Sequence, residues 1–155
     1  MKISELLNEK LVIADLKAGA KQQALEEMVA CLAANRPGID AQDLYTVLVE
    51  REKLGSTGIG NGIAIPHGKL EGLDTICLVF ARSTEGIEFD SLDGRPAHLI
   101  FLLVAPLNSA GVHLKALARL SRLLKEKSFR DDLLMAASAE ALYGIIVSED
   151  EKITA

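Results

Sequence analysis

The sequence predicts an α/β fold of the α+β type, one domain with a small mixed β-sheet and helices on both faces. Three observations point there. The chain has 155 residues, 49% of them apolar, which suffices for one sizeable core. Two apolar runs, Thr75 to Ala81 and Leu99 to Ala105, read as strands, and the second is apolar on both sides, as a doubly covered central strand must be. Stretches of helical period precede and follow them, which makes a helix-flanked sheet the economical architecture.

Taken in order, Ile3 to Leu7 reads as a short helix and Leu11-Val12-Ile13-Ala14 as a short strand. A helix is expected from about Ala20 to Ala34, with Leu25, Met28, Val29 and Leu32 at helical spacing and Glu26 and Glu27 outside. Pro37-Gly38 ends it. Asp40 is a good N-cap for the next helix, which runs to about Lys53. Its apolar stripe, Leu44, Val47 and Leu48, continues into Arg51, which turns a guanidinium towards the interior or a cleft. The alternative is an arginine that snorkels or pairs with a neighbouring carboxylate. After the first apolar strand, Ile87-Glu88-Phe89 alternates and Asp93-Gly94 marks a turn. Asn108-Ser109 opens a helix beginning near Val112 or His113. Leu114, Leu117, Ala118, Leu120 and Leu124 form its expected buried side, and Lys125 and Lys127 suit its C-terminal dipole. Two short helices follow: one over about Phe129 to Ala136, the other capped by Ser138 and carrying Leu142, Ile145 and Ile146. The ordered core is expected over about residues 3–147, with a polar tail at 148–155 that frays.

A formal net charge of −5 speaks against a nucleic-acid binder, which more often shows a basic face. The start, Met1 to Asn8, lacks the long apolar region of a signal peptide. The longest apolar run, Leu99 to Leu107, falls well short of the ~18 residues of a membrane span. No membrane insertion is expected, and a cytoplasmic location is the default. Cys31 and Cys77 read as core thiols; two such cysteines make neither a metal motif nor a disulfide framework.

The chemistry concentrates in one stretch, Gly55-Ser56-Thr57-Gly58-Ile59-Gly60-Asn61-Gly62-Ile63-Ala64-Ile65-Pro66-His67-Gly68-Lys69. Its glycines permit turns and close approaches, Pro66 pushes Ile65 towards an extended conformation, and His67 stands at the end of a stiff arm. Two nucleotide motifs fail on spacing. Gly58 and Gly60 are followed by Ile63 where a dinucleotide fingerprint needs glycine, and Gly68-Lys69 by Leu70 where a P-loop needs Ser or Thr. Ser56 lies in no nucleophile elbow. His67, His98 and His113 match no familiar zinc spacing, although three imidazoles can converge in space.

What remains is a nucleophilic histidine. Neutral imidazole attacks at physiological pH, and a phosphohistidine can pass its phosphoryl group onward. Such a site needs N–H donors, a cation and a further polar group around the transferring phosphoryl. The loop at Ser56, Thr57, Gly58, Gly60 and Asn61 can supply N–H groups, Arg51 a planar cation, and His113 a donor near a helix N-terminus. Ile59 and Ile63 are expected to give the site an apolar rim. A core histidine, a surface arginine and an ordinary turn are the structural alternatives.

Arg51-Glu52, followed by the run from Gly55 to Gly68, resembles the phosphorylation-site signature of the type-2 EIIA domains of the phosphoenolpyruvate-dependent phosphotransferase system. That family includes the fructose and mannitol EIIA proteins and the nitrogen-related EIIA. The likeness covers nearly the whole chain, with Ile87-Glu88-Phe89, Leu92-Asp93-Gly94, the Leu99 to Val104 strand and His113-Leu114 in family-like order. It implies the mannitol-EIIA type of fold and a phosphotransferase component. His67 matches the phosphoryl-accepting histidine, His113 the second active-site histidine, and Arg51 the arginine beside the site. The implied donor is an HPr-like phosphocarrier, and no cofactor or metal is implied. Pro66-His67-Gly68-Lys69-Leu70 is more similar to the nitrogen-related branch, whose typical partners are potassium transporters and sensor kinases. The alternatives are a sugar-transport EIIA that passes phosphate to an EIIB cysteine, and a binding module whose phosphosite is silent. His98 has no family counterpart and reads as a structural residue at a strand edge.

Overall fold

The computed structural model describes residues 2–153. Its elements run α1 (Ile3–Leu6), β1 (Val12–Ile13), α2 (Lys21–Asn35), α3 (Ala41–Lys53), β2 (Gly58–Gly60), β3 (Ile63–Ala64), β4 (His67–Leu70), β5 (Cys77–Ile87), β6 (Ala97–Pro106), α4 (Ala110–Leu124), α5 (Lys127–Met135) and α6 (Ala139–Glu151). A 3-10 turn, Glu9–Leu11, links α1 to β1.

The sheet is mixed, in the order β1-β5-β6-β3-β2, with β4 also on β6. Strand β6 is its axis. It runs antiparallel to β5 along one side, while β3 and then β4 lie parallel to it along the other. Leu99 to Ala105 are all buried, and alternate side chains of a strand point to opposite faces, so both faces are covered. Helices α2 and α3 pack against β5 and β4, and α5 and α6 against β6 and β1. Tilted Phe80 and Phe101 rings, 4.6 Å between centroids, join the two central strands inside the core.

The expected helices and strands are present; β4 is an addition to them, β5 runs on to Ile87, and four further differences of detail stand out. The glycine run is a β-hairpin: β2 and β3 pair antiparallel around Asn61-Gly62, whose φ angles of 57° and 77° are those of a type I′ turn. Helix α4 starts at Ala110, before the expected Val112, and its buried face is His113, Ala116, Leu120, Leu123 and Leu124. Leu114 (66% exposed) and Ala118 face outward, against the expectation that they lie inside. Of the expected fraying tail, residues 148–151 are helical: α6 continues to Glu151 because Asp150 is fully buried and takes Arg119 Nε at 2.6 Å and the Ser4 N–H at 3.1 Å, while 154–155 lie outside the described residues. Cys77 is a core thiol as expected, but Cys31 is only half-buried, its Sγ donating to the Lys10 carbonyl.

Candidate functional site

Pro66 leads directly into β4, whose first residue is His67, paired with Leu103 on the buried axis of the sheet. The Pro66 carbonyl accepts the Leu103 N–H at 2.9 Å, so the arm holding the imidazole is part of the sheet. Gly68 lets α3 approach. A β-carbon there would come within 2.7 Å of Val47 Cγ1, far inside contact distance.

The His67 ring is fixed by its own backbone. Nδ1 lies 2.7 Å from the Ile65 carbonyl. A carbonyl only accepts, so in the neutral ring Nδ1 carries the proton and the lone pair sits on Nε2. Burial, the largest influence, holds His67 below the ordinary imidazole pKa, and the Arg51 charge adds to it; the Ile65 bond and Glu52 act in the opposite direction. The net result is a neutral, single-tautomer imidazole.

His113 packs edge-on against it, with ring centroids 5.4 Å apart and planes at 89°. It is 7% exposed, on the first turn of α4, and its Nδ1 is buried with no hydrogen-bond partner. Burial again lowers its pKa, followed by the charges of His67 and Lys69. The N-cap Ser109 does not cap the helix; its hydroxyl donates instead to the Pro106 carbonyl at 2.5 Å. Arg51, half-buried in the last turn of α3, donates from Nη1 to the Gly55 carbonyl at 2.8 Å. The structure thus brings His67, His113 and Arg51 into one neighbourhood.

The loop residues are placed differently from the expectation. The N–H groups of Thr57, Gly58 and Asn61 are already used, donating to Glu52 Oε2 at 3.2 Å, Ser56 Oγ at 3.0 Å and Asp93 Oδ2 at 3.0 Å. Ser56 itself donates to the Phe89 carbonyl. In this conformation those donors brace the hairpin rather than await a phosphate, and Gly60 lies in the paired strand β2. Ile59 is on the exposed rim as expected, whereas Ile63 is core. Leu107 and Val112, either side of the α4 start, are also exposed.

His98 lies on the central strand β6 rather than at an edge. Its N–H donates to the Gly62 carbonyl at 2.8 Å and its Nδ1 to the Ser83 carbonyl at 2.9 Å, a structural tie between hairpin and sheet. Among the described residues no group of three or more His, Cys, Asp or Glu side chains is arranged to hold a metal ion. Two residues around the site went unassigned in the sequence. Glu52 takes both donors of Thr57 and pairs with Lys21 Nζ at 2.7 Å, its side chain 8% exposed. The only sequence signal for it was its place beside Arg51 in the signature.

Fold and site together define a helix-flanked mixed-sheet domain that carries a pair of edge-packed histidines. The chain belongs to the EIIA type-2 family, since the family model for the phosphoenolpyruvate-dependent sugar phosphotransferase system, EIIA 2, matches residues 5–149. It is 42% identical to a nitrogen regulatory protein of Bradyrhizobium diazoefficiens, over 94% of this chain and 95% of that one. It is 39% identical to the fructose-specific EIIABC component of Bacillus subtilis, over 97% of this chain but 24% of that longer protein. Among solved structures, the nitrogen regulatory protein IIA-Ntr of Neisseria meningitidis superposes with a TM-score of 0.87 at 38% identity, covering 93% of this chain and 98% of that one. The mannitol IIA of Escherichia coli shares the fold, with a TM-score of 0.74 at 22% identity over 90% of this chain and 98% of that one. Phosphoryl transfer is the business of this family.

Proposed function

We propose that His67 is the phosphoryl-accepting nucleophile and that the chain works as a regulatory phosphocarrier of the nitrogen-related branch. The donor is the phosphohistidine of an HPr-like carrier. The observation that carries this reading is the bond from Nδ1 to the Ile65 carbonyl, which leaves the Nε2 lone pair as the nucleophile. As the N–P bond to the donor breaks, the N–P bond to Nε2 forms and the donor imidazole regains its lone pair. The His67 ring takes up positive charge, and the Ile65 carbonyl meets it at Nδ1–H. His113, packed edge-on against His67, donates a ring N–H to the phosphoryl oxygens, and Arg51 supplies a planar cation. With Thr57, Gly58 and Asn61 committed to the hairpin, the loop's part is rigidity.

The output is charge. Phosphorylation adds about −2 at a site rimmed by Ile59, Leu107 and Val112, favouring one class of docking partner and repelling another. A cytoplasmic potassium transporter or sensor kinase domain is the partner type of this branch. The sequence similarity to a fructose-specific protein favours a second reading, transfer onward to an EIIB cysteine.

The test is incubation with phosphoenolpyruvate, the general phosphotransfer enzyme and an HPr-type carrier, followed by intact mass. A carrier-dependent gain of one acid-labile phosphate, lost in His67→Ala, is expected. No gain with a demonstrably active carrier would contradict the proposal. Adding an EIIB protein then separates the two outputs, because only the sugar-transport reading moves the phosphate to its cysteine.

A further inference from the structure

We propose that Glu52 is a positioning residue for His67: with Lys21 it forms a strut that holds Thr57 and, through the Ile65 peptide, fixes which ring nitrogen of His67 carries the proton. The chain of bonds is continuous. Lys21 Nζ, at the first turn of α2, lies 2.7 Å from Glu52 Oε2. The same ammonium donates to the Phe89 carbonyl at 3.3 Å and sits 5.1 Å over the Phe89 ring, so it is anchored independently of Glu52. The Glu52 carboxylate accepts the Thr57 N–H at 3.2 Å and the Thr57 hydroxyl. The Thr57 carbonyl accepts the Ile65 N–H at 3.0 Å. The Ile65 carbonyl then takes His67 Nδ1–H at 2.7 Å.

Each link is needed for the next. Thr57 precedes β2 and Ile65 follows β3, so their bond closes the open end of the hairpin, and it is this end that carries the histidine arm. A carboxylate with its side chain 8% exposed is costly unless fully partnered, and here two Thr57 donors and one ammonium meet it. Removing it frees Thr57, lets the Ile65 peptide rotate, and releases the His67 proton from a single nitrogen. The strut also acts by charge: Glu52 favours the imidazolium of His67, while Arg51 opposes it. The groups that bear on His67 are thus Arg51 and Glu52 from α3 and His113 from α4, with Lys69 acting on His113.

The proposal rests on the phosphocarrier reading only for its rate readout, and the imidazole readouts stand without it. Nitrogen NMR of the His67 ring in the intact protein reports tautomer and titration. Wild type is expected to show Nδ1–H alone. In Glu52→Leu the Nε2–H tautomer should appear alongside it, with phosphoryl gain from the carrier at least about tenfold slower, as expected when a nucleophile loses its orientation. Glu52→Gln keeps an acceptor for the Thr57 N–H, so it should restore the Nδ1–H tautomer. Having lost the charge, it should titrate His67 at lower pH than wild type. Lys21→Met leaves the carboxylate uncompensated and should move the titration upward. A folded Glu52→Leu protein with the wild-type tautomer overturns the proposal. Should that variant fail to fold, Glu52→Gln and Lys21→Met decide: opposite titration shifts support the strut, and shifts of one sign or none overturn it. Wild type that takes no phosphate yet shows the expected NMR pattern refutes the phosphocarrier reading and leaves the strut standing.

Discussion

Replacing Asp150 with alanine tests how the C-terminal helix is held. Asp150 is fully buried and receives a charged hydrogen bond from Arg119 Nε at 2.6 Å and the Ser4 N–H at 3.1 Å. The contact joins α6 to α4, the helix that carries His113, and to α1. Removing one member of a buried ion pair typically costs about 3–5 kcal/mol. Arg119 is 13% exposed and keeps a second bond, Nη2 to the Asp150 main-chain carbonyl at 3.1 Å, which places the loss at the lower end, about 3 kcal/mol. In a chain of this size that lowers Tm by roughly 6–12 °C. The assay is urea unfolding of Asp150→Ala, Arg119→Met and the double variant, with calorimetry for Tm. The double variant should lose far less than the sum of the singles, because the pair is one interaction. Burial pushes the Asp150 carboxyl up, but Arg119 and the main-chain N–H groups outweigh it and hold the pKa below the usual aspartate value. A depressed folded-state pKa means that this stability is complete above the unfolded value, near 3.8, and is lost as pH falls through the folded one. Additive single variants, each costing under about 1 kcal/mol, would refute the reasoning.

Three further outcomes are expected. Both site histidines are held below the ordinary imidazole value, so the acid limb of phosphoryl transfer should fall below a pH of about 6.5. By the same sign, stability should be complete above that pH and decline beneath it as the unfolded chain binds protons first; a His67→Gln, His113→Gln double variant should flatten that decline in urea titrations. Gly68→Ala forces Val47 and α3 away from β4, and should cost about 1–3 kcal/mol in unfolding experiments while slowing transfer through displacement of Arg51. Arg51→Lys should slow transfer about tenfold or more with unchanged Tm, read by single-turnover kinetics, because a point charge cannot replace a planar fork.

What the sequence disclosed follows from where each signal resides. Strand β6 was legible because Leu99 to Ala105 is apolar on both faces, and only a doubly covered strand uses such a run. Asp40 and Ser138 were legible as caps because a cap is local, and both side chains accept the N–H three residues on. The hairpin at Asn61-Gly62 was equally local, but the surrounding glycines drew it into a loop reading. The phase of α4 was missed because Leu114 reads as core by its residue type, whereas the inward face runs through His113, Ala116, Leu120 and Leu123 at helical spacing and so places a histidine where an apolar residue was expected. The order of α6 beyond Ser148 depends on Arg119 and Ser4, and the Glu52 strut on Lys21; such pairings exist only after folding and leave no spacing to detect. His67, His113 and Arg51 were legible as candidates because their residue types state their chemistry, and the structure brings them into one neighbourhood. Glu52 was not, since a glutamate on a helix is ordinary until its burial is known.

The most direct measurement locates the phosphate on the ring. Phosphorus–nitrogen NMR of the carrier-phosphorylated protein should place a single phosphoryl group on Nε2 of His67, with Nδ1 still protonated and bonded to the Ile65 carbonyl. Phosphate on Nδ1, or on any residue other than His67, would contradict the account.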